Sequence, residues 1–267
     1  LYLLAVSVPL PSLRTVKVAS LNFSSTEVLV LLTSVAWISS VLVRRERVLR
    51  PAPLVVPLLV FLAAIFLSFL QATDLTLSLK ELIKWLELLA VYLLAANVLR
   101  DRDQIRALVV VLVGMACADA GYGLVQFVTR HGPPSFLIRG RFLRAYGTFD
   151  QPNPFAGYLN LTLPLAGALW LSSLAGNRFF RAEGWLGRRE PLLWGGASGL
   201  LLAAVAASLS RGAWIVLAAA ALLLAVWANR ATWRYVGWGS WLVIMIAWVG
   251  ALGLLPGRIG TAILQAF

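Results

Sequence analysis

The sequence predicts an all-α, polytopic integral membrane protein with about nine transmembrane helices. Three observations predict it. First, 60% of the 267 residues are hydrophobic and only 13% are charged, with a mean hydropathy of +0.85. An average soluble domain carries about 25% charged residues. Second, apolar runs recur along the whole length, and an apolar helix of ~20 residues spans the ~30 Å hydrocarbon layer. Third, most Lys and Arg sit in short stretches between those runs, where they orient helices and meet anionic headgroups.

The nine apolar segments are 1–13, 26–43, 54–70, 77–99, 104–128, 153–174, 192–209, 212–228 and 236–255. If the connecting loops alternate sides, one set is 44–50, 100–106, 175–190 and 229–235, with 13 basic residues. The other set is 14–25, 71–76, 129–152, 210–211 and 256–267, with 8. The richer set is expected on the cytoplasmic side. The excess basic charge, +12 in all, therefore reads as topology and not as nucleic-acid binding. The one cysteine, Cys117, lies inside an apolar run, so neither an internal disulfide nor a cysteine metal cluster is expected. The chain opens on Leu and closes soon after a hydrophobic segment; the expectation is one helical domain over 1–267, read as a fragment.

The outer loop 129–152 goes against the charge rule. It holds Arg130, Arg139, Arg141 and Arg144, half of the basic residues on that side. An anionic ligand would retain them there; interfacial Arg reaching for headgroups is the plainer alternative. The loop runs into "YGTFDQPNPFAGYL", residues 146–159. Pro152 and Pro154 suit an early helix position and no interior one. Asp150 or Asn153 could cap that helix. Either this is only a helix start, or its free N–H groups face an anion shared with the nearby arginines.

Further on, "SLSRGAW" joins two apolar segments with almost no linker, so Arg211 and Gly212 are expected to make an outer turn. Arg211 at the membrane edge either snorkels or holds a phosphate with two parallel hydrogen bonds. Three weaker features remain. Lys80, Glu81, Lys84 and Glu87 are spaced to neutralise one another along one helical face. Asp119, with Gln126 on the same face, lies inside a span; it either pairs with an Arg or Tyr on a neighbouring helix or serves a site. His131 is a lone loop histidine. The chain contains no P-loop, GxGxxG, HExxH or paired-cysteine motif, so ATP-driven or metal-dependent chemistry gains no support.

Three stretches taken together, "YGLVQF", "RAYGTFDQPNPFAGYLNLTLPLA" and "SLSRGAWIVLAAA", resemble the O-antigen ligase/polymerase family of bacterial envelope proteins. "LIKWLELLAVYLLAANVLRDRDQIR" is similar to the same family, and the resemblance covers roughly residues 77–228. It implies a metal-independent, cofactor-free glycosyltransferase of the bacterial inner membrane with its site on the outer face. The donor would be an undecaprenyl-pyrophosphate-linked glycan. The acceptor would be lipid A-core, another glycan chain or a protein. Arg211 would take the catalytic place at the pyrophosphate. Arg139, Arg141, Arg144, Asp150 and Asn153 would bind pyrophosphate or glycan. The family carries a large late outer loop with a proposed basic histidine, and residues 256–267 would only begin it; His131 does not match that place. A transporter or flippase of lipid-linked glycan is the alternative, although such proteins favour internal repeats and none is visible.

Overall fold

The computed structural model describes residues 1–10, 16–18, 21–23, 25–44, 52–138, 142–177, 179 and 185–227. Among these residues the protein is all-α, with eight helices and two small antiparallel hairpins. The helices are α1 (Tyr2–Ser7), α2 (Ser25–Arg44), α3 (Val55–Ser68), α4 (Leu75–Val98), α5 (Arg102–Thr129), α6 (Pro152–Leu174), α7 (Trp185–Ala207) and α8 (Arg211–Trp227). The hairpins pair β1 (Val16–Val18) with β2 (Leu21–Phe23), and β3 (Leu137–Ile138) with β4 (Phe142–Leu143).

Among the described residues three helices, not nine, combine the length and apolarity needed to cross a membrane: Thr26–Val43, Arg102–Thr129 and Gly187–Ala207. Their length and apolarity suggest a membrane protein. The physical reasons for the smaller number differ by segment. The stretch expected over 1–13 yields a helix of 6 residues, about 9 Å long at 1.5 Å per residue. Val55–Gln71 and Arg211–Ala220 are apolar but short. Helix α4 has 24 residues but carries Lys80, Glu81, Lys84 and Glu87. Helix α6 has 23 but is diluted by Asn153, Asn160 and three prolines. The segment expected at 236–255 lies outside the described residues.

The chain packs as two compact units, Leu1–Met115 and Ala116–Phe267. In the first, α4 packs against α2 and α3, and α1 packs against α2. Helix α4 begins where Asp74 accepts hydrogen bonds from the Thr76 and Leu77 amides at 2.8 and 3.1 Å. This is an N-cap of the kind that offsets unpaired first-turn donors. The Tyr92 hydroxyl accepts from the Leu54 amide at 3.1 Å and so ties α4 to the start of α3. Phe61 and Trp85 meet edge to face at 4.7 Å. Lys84 and Glu81 pair at 2.6 Å with both side chains 60% exposed, which is the neutralising arrangement expected from their spacing.

In the second unit, α6 packs along α7 and also against α8. Its inward face is formed by Phe155, Ala156, Leu159, Leu163 and Ala166, at 8% exposure or less. Pro152 sits at the first helical position and is tolerated there because that N–H would be unpaired anyway. Neither Asp150 nor Asn153 caps α6; Gln151 holds the cap position and makes no side-chain cap bond. Pro164, inside the helix, has no N–H to give the carbonyl four residues back, at Asn160. The turn between α7 and α8 is formed by Ser208, Leu209 and Ser210, and not by Arg211 and Gly212, which are the first residues of α8. Leu209 adopts φ +49°, a left-handed conformation that non-glycine residues rarely take. Ser208 Oγ, fully buried, donates to the Val205 carbonyl at 2.7 Å and accepts from the Ser210 amide at 3.3 Å. The side-chain oxygen thus meets backbone groups that a helix end leaves open.

Candidate functional site: an arginine-bearing cleft

The site lies wholly within the second unit and is built by the segment after β4. Leu143 and Ala145 are fully buried. Arg144, between them, is only half-buried and lines the cleft. The segment is anchored on both flanks. The Arg144 amide donates to the Phe136 carbonyl and the Ala145 amide to the Ala207 carbonyl, each at 3.0 Å.

The Arg144 side chain bridges two elements. Its Nε donates to the Ser208 carbonyl at 2.8 Å, and its Nη2 donates to Asn153 Oδ1 at 2.8 Å. The first bond reaches the α7–α8 turn and the second reaches the first turn of α6. Both acceptors are neutral oxygens, so they hold the guanidinium without cancelling its charge. Burial lowers the Arg144 pKa from its ordinary value, and the neighbouring Arg211 cation lowers it further. A guanidinium stays protonated near neutral pH even so. The two like charges therefore repel, and an anion placed between them relieves that repulsion.

A cleft of about 910 Å³ opens beside this pair. Its polar lining comprises Arg144, Asn153, Asn160, Ser210 and Arg211. Its apolar lining includes Ile138, Leu161, Leu209 and Val216. Asn153, Gly157 and Asn160 are spaced four and three apart, which sets them on one face of α6. Arg211 is exposed and opens α8, where free backbone N–H groups favour negative charge. Leu161 is 80% exposed and Val216 53%. The cleft therefore joins an electropositive end to an apolar wall. Such a cavity suits an amphiphile with an anionic head.

The structure brings together Arg144, Asn153 and Arg211 out of the expected residues. Asp150 is exposed and is not part of the cleft lining. Arg139 and Arg141 lie outside the described residues. His131 is exposed. Asn160 and Ser210 belong to the cleft without having been expected there. The signal for Asn160 was present in the sequence: a lone amide in "YLNLTLPL", seven residues after Asn153 and hence on the same helical face.

Behind the cleft, α5 grips the loop that carries Arg144. Gln126 Nε2 donates to the Gly147 carbonyl at 2.8 Å, and Gln126 Oε1 accepts from the Gly147 amide at 2.9 Å. Asp119 Oδ1 accepts from the Thr148 amide at 2.8 Å. Asp119 thus pairs with Thr148 of the loop, and not with an Arg or Tyr on a neighbouring helix, one of the two readings its sequence position allows. No family model, no curated protein and no solved structure matches the chain.

Proposed function

We propose that the protein transfers a glycan from an undecaprenyl-pyrophosphate carrier to an acceptor at the outer face of the bacterial inner membrane. It would act as an O-antigen ligase or polymerase. The observation that carries this reading is the shared cleft of Arg144 and Arg211, with Asn153 bonded to one arginine and an apolar wall beneath. The resemblance of residues 77–228 to that family adds to it.

The chemistry asks for what the cleft offers. As the acceptor hydroxyl gives its proton to a base and its oxygen bonds to the anomeric carbon, the bond to the phosphate oxygen breaks and its electron pair leaves on pyrophosphate. Fixed cations at that place stabilise the growing charge without reorganising. Arg144 is fixed by its two neutral partners, and Arg211 is the more exposed member of the pair. The polyprenyl tail lies along Leu161 and Val216 and on into lipid. Asn153 orients Arg144 from the α6 side.

The test is a transfer assay on the full-length protein in lipid nanodiscs. It uses undecaprenyl-pyrophosphate glycan with lipid A-core or a second glycan as acceptor. Transfer to lipid A-core makes the protein a ligase, and chain lengthening makes it a polymerase. Movement of intact carrier-linked glycan across the bilayer, with no product, rejects the transferase and favours a transporter.

A further inference from the structure

Four consecutive residues, Ser210, Arg211, Gly212 and Ala213, line the cleft. Neighbours along a helix point about 100° apart, so a cavity that touches four in a row lies at the end of the helix and not along one flank. Helix α8 begins there. The Ser210 carbonyl accepts from the Trp214 amide at 3.3 Å, which makes Ser210 the N-cap. First-turn amides have no carbonyl behind them and point out of the helix end, here into the cleft. A Cβ on Gly212 would meet nothing within 4 Å, so that end is open.

The Ser210 side chain is a second, independent observation. The residue is 5% exposed. An N-cap serine ordinarily turns its hydroxyl onto the first-turn amides. Here the Ser210 amide donates to Ser208 Oγ at 3.3 Å, and the Ser210 hydroxyl makes no hydrogen bond among the described residues. Buried polar groups are rarely left so. The hydroxyl is nevertheless not sealed: the side-chain atoms both closed to solvent and without a partner lie on Asp119, Tyr158, Asn160 and Glu190. An open hydroxyl on a buried residue at the helix end opens into the cleft that the residue lines.

We propose that Ser210 and the first turn of α8 form a phosphate seat of their own, beside the one between Arg144 and Arg211. An ionised phosphate oxygen there accepts from the Ser210 hydroxyl and from the Gly212 and Ala213 amides. Every group at the seat donates, and a fully ionised phosphate only accepts. The positive end of the helix favours the same charge. With one phosphate between the arginines and the next on the seat, the cleft takes a diphosphate in preference to a monophosphate. This rests on the glycan-carrier reading given above and adds Ser210 to it as a specificity residue.

The experiment measures binding of three probes to the full-length protein in nanodiscs: polyprenyl pyrophosphate, polyprenyl monophosphate and inorganic pyrophosphate. Wild type is expected to bind the pyrophosphate lipid at least about tenfold more tightly than the monophosphate lipid, the scale of one hydrogen bond to a charged group. Ser210→Ala is expected to remove most of that preference and leave the monophosphate lipid bound as before. Ser210→Asp keeps a capping oxygen for α8 but sets a negative charge against the seat. It is expected to lose the pyrophosphate lipid further still. Were Ser210 only a helix cap, aspartate would serve as well as serine. Arg144→Ala is expected to weaken both lipids.

A preference unchanged in both Ser210 variants, or absent from wild type, overturns the seat and leaves the arginine cleft standing. Equal weakening of both lipids by Ser210→Ala makes the residue a prop of the helix end and also overturns the proposal. Inorganic pyrophosphate bound as tightly as its lipid form, with the same loss in the Ser210 variants, supports the seat and rejects the lipid-carrier reading. Failure of wild type to bind any of the three rejects the anion cleft and the seat with it.

Discussion

Gln126 and Gly147 exchange two hydrogen bonds, side-chain amide to backbone amide, at 2.8 and 2.9 Å. The pairing gives a loop residue the partners that a neighbouring strand would otherwise supply. Removing it leaves a buried donor and a buried acceptor unmet. Each costs about 1–3 kcal/mol. Gln126→Leu is therefore expected to lower the unfolding midpoint by several degrees in a thermal melt of detergent-solubilised protein. An unchanged midpoint would show that water replaces the amide there.

Gly147 itself is constrained twice. Its φ is +59°, and a Cβ on it would stand 2.6 Å from both Asp119 Oδ1 and the Phe155 ring. Phe155 is fully buried and cannot yield. Gly147→Ala is expected to cost at least about 2 kcal/mol, since strain and overlap add. Gly157→Ala, inside α6 where a Cβ meets nothing within 4 Å, serves as the comparison and should hold the melt or raise it slightly, since alanine favours a helix interior over glycine.

Asp119 uses one oxygen for the Thr148 amide, and its Oδ2 has no partner among the described residues. Asparagine keeps the needed acceptor and removes the cost of a buried charge. Asp119→Asn is expected to match wild type in stability, while Asp119→Ala loses about 1–3 kcal/mol. Equal losses in the two variants would mean that the carboxylate charge itself matters.

Arg144 and Arg211 should separate on mutation. Arg211 is exposed, so Arg211→Ala is expected to abolish transfer by the full-length protein with membrane expression and melting unchanged. Arg144 joins three segments. Arg144→Lys cannot make both side-chain bonds from one nitrogen in that geometry. It is expected to lose at least about tenfold in transfer and to melt earlier, by the cost of about one hydrogen bond. Normal transfer by Arg211→Ala would sink the phosphate role.

The 129–152 loop is expected to face outward. His131 is exposed, so His131→Cys in a Cys117→Ala background should react with an impermeant thiol reagent in intact spheroplasts. Reaction only after lysis inverts the orientation and moves the cleft to the cytoplasmic side.

Much of this protein follows from local sequence. Hydropathy marks α2, α5 and α7 because an apolar run of sufficient length has few other stable fates. Pro152 and Pro154 mark the start of α6 because proline is favoured in the first turn of a helix. The 3–4 spacing of Lys84 and Glu81 predicts their pairing without reference to any other element. Arg144, Asn153 and Arg211 stand out as polar groups in an apolar chain, a signal that needs no tertiary knowledge.

What only the tertiary structure decided is which of those groups meet. Arg144 is bonded to Asn153, nine residues on, and to the Ser208 carbonyl, 64 residues on. No local propensity specifies the second distance, because it depends on how α6, α7 and α8 pack. The backbone partners of Asp119 and Gln126 were equally hidden, since any loop amide can accept or donate and only packing selects one. Asn160 makes the same point most sharply. Its sequence position shows an amide on the Asn153 face, but only packing brings its Nδ2 to the Ala213 carbonyl, 53 residues away.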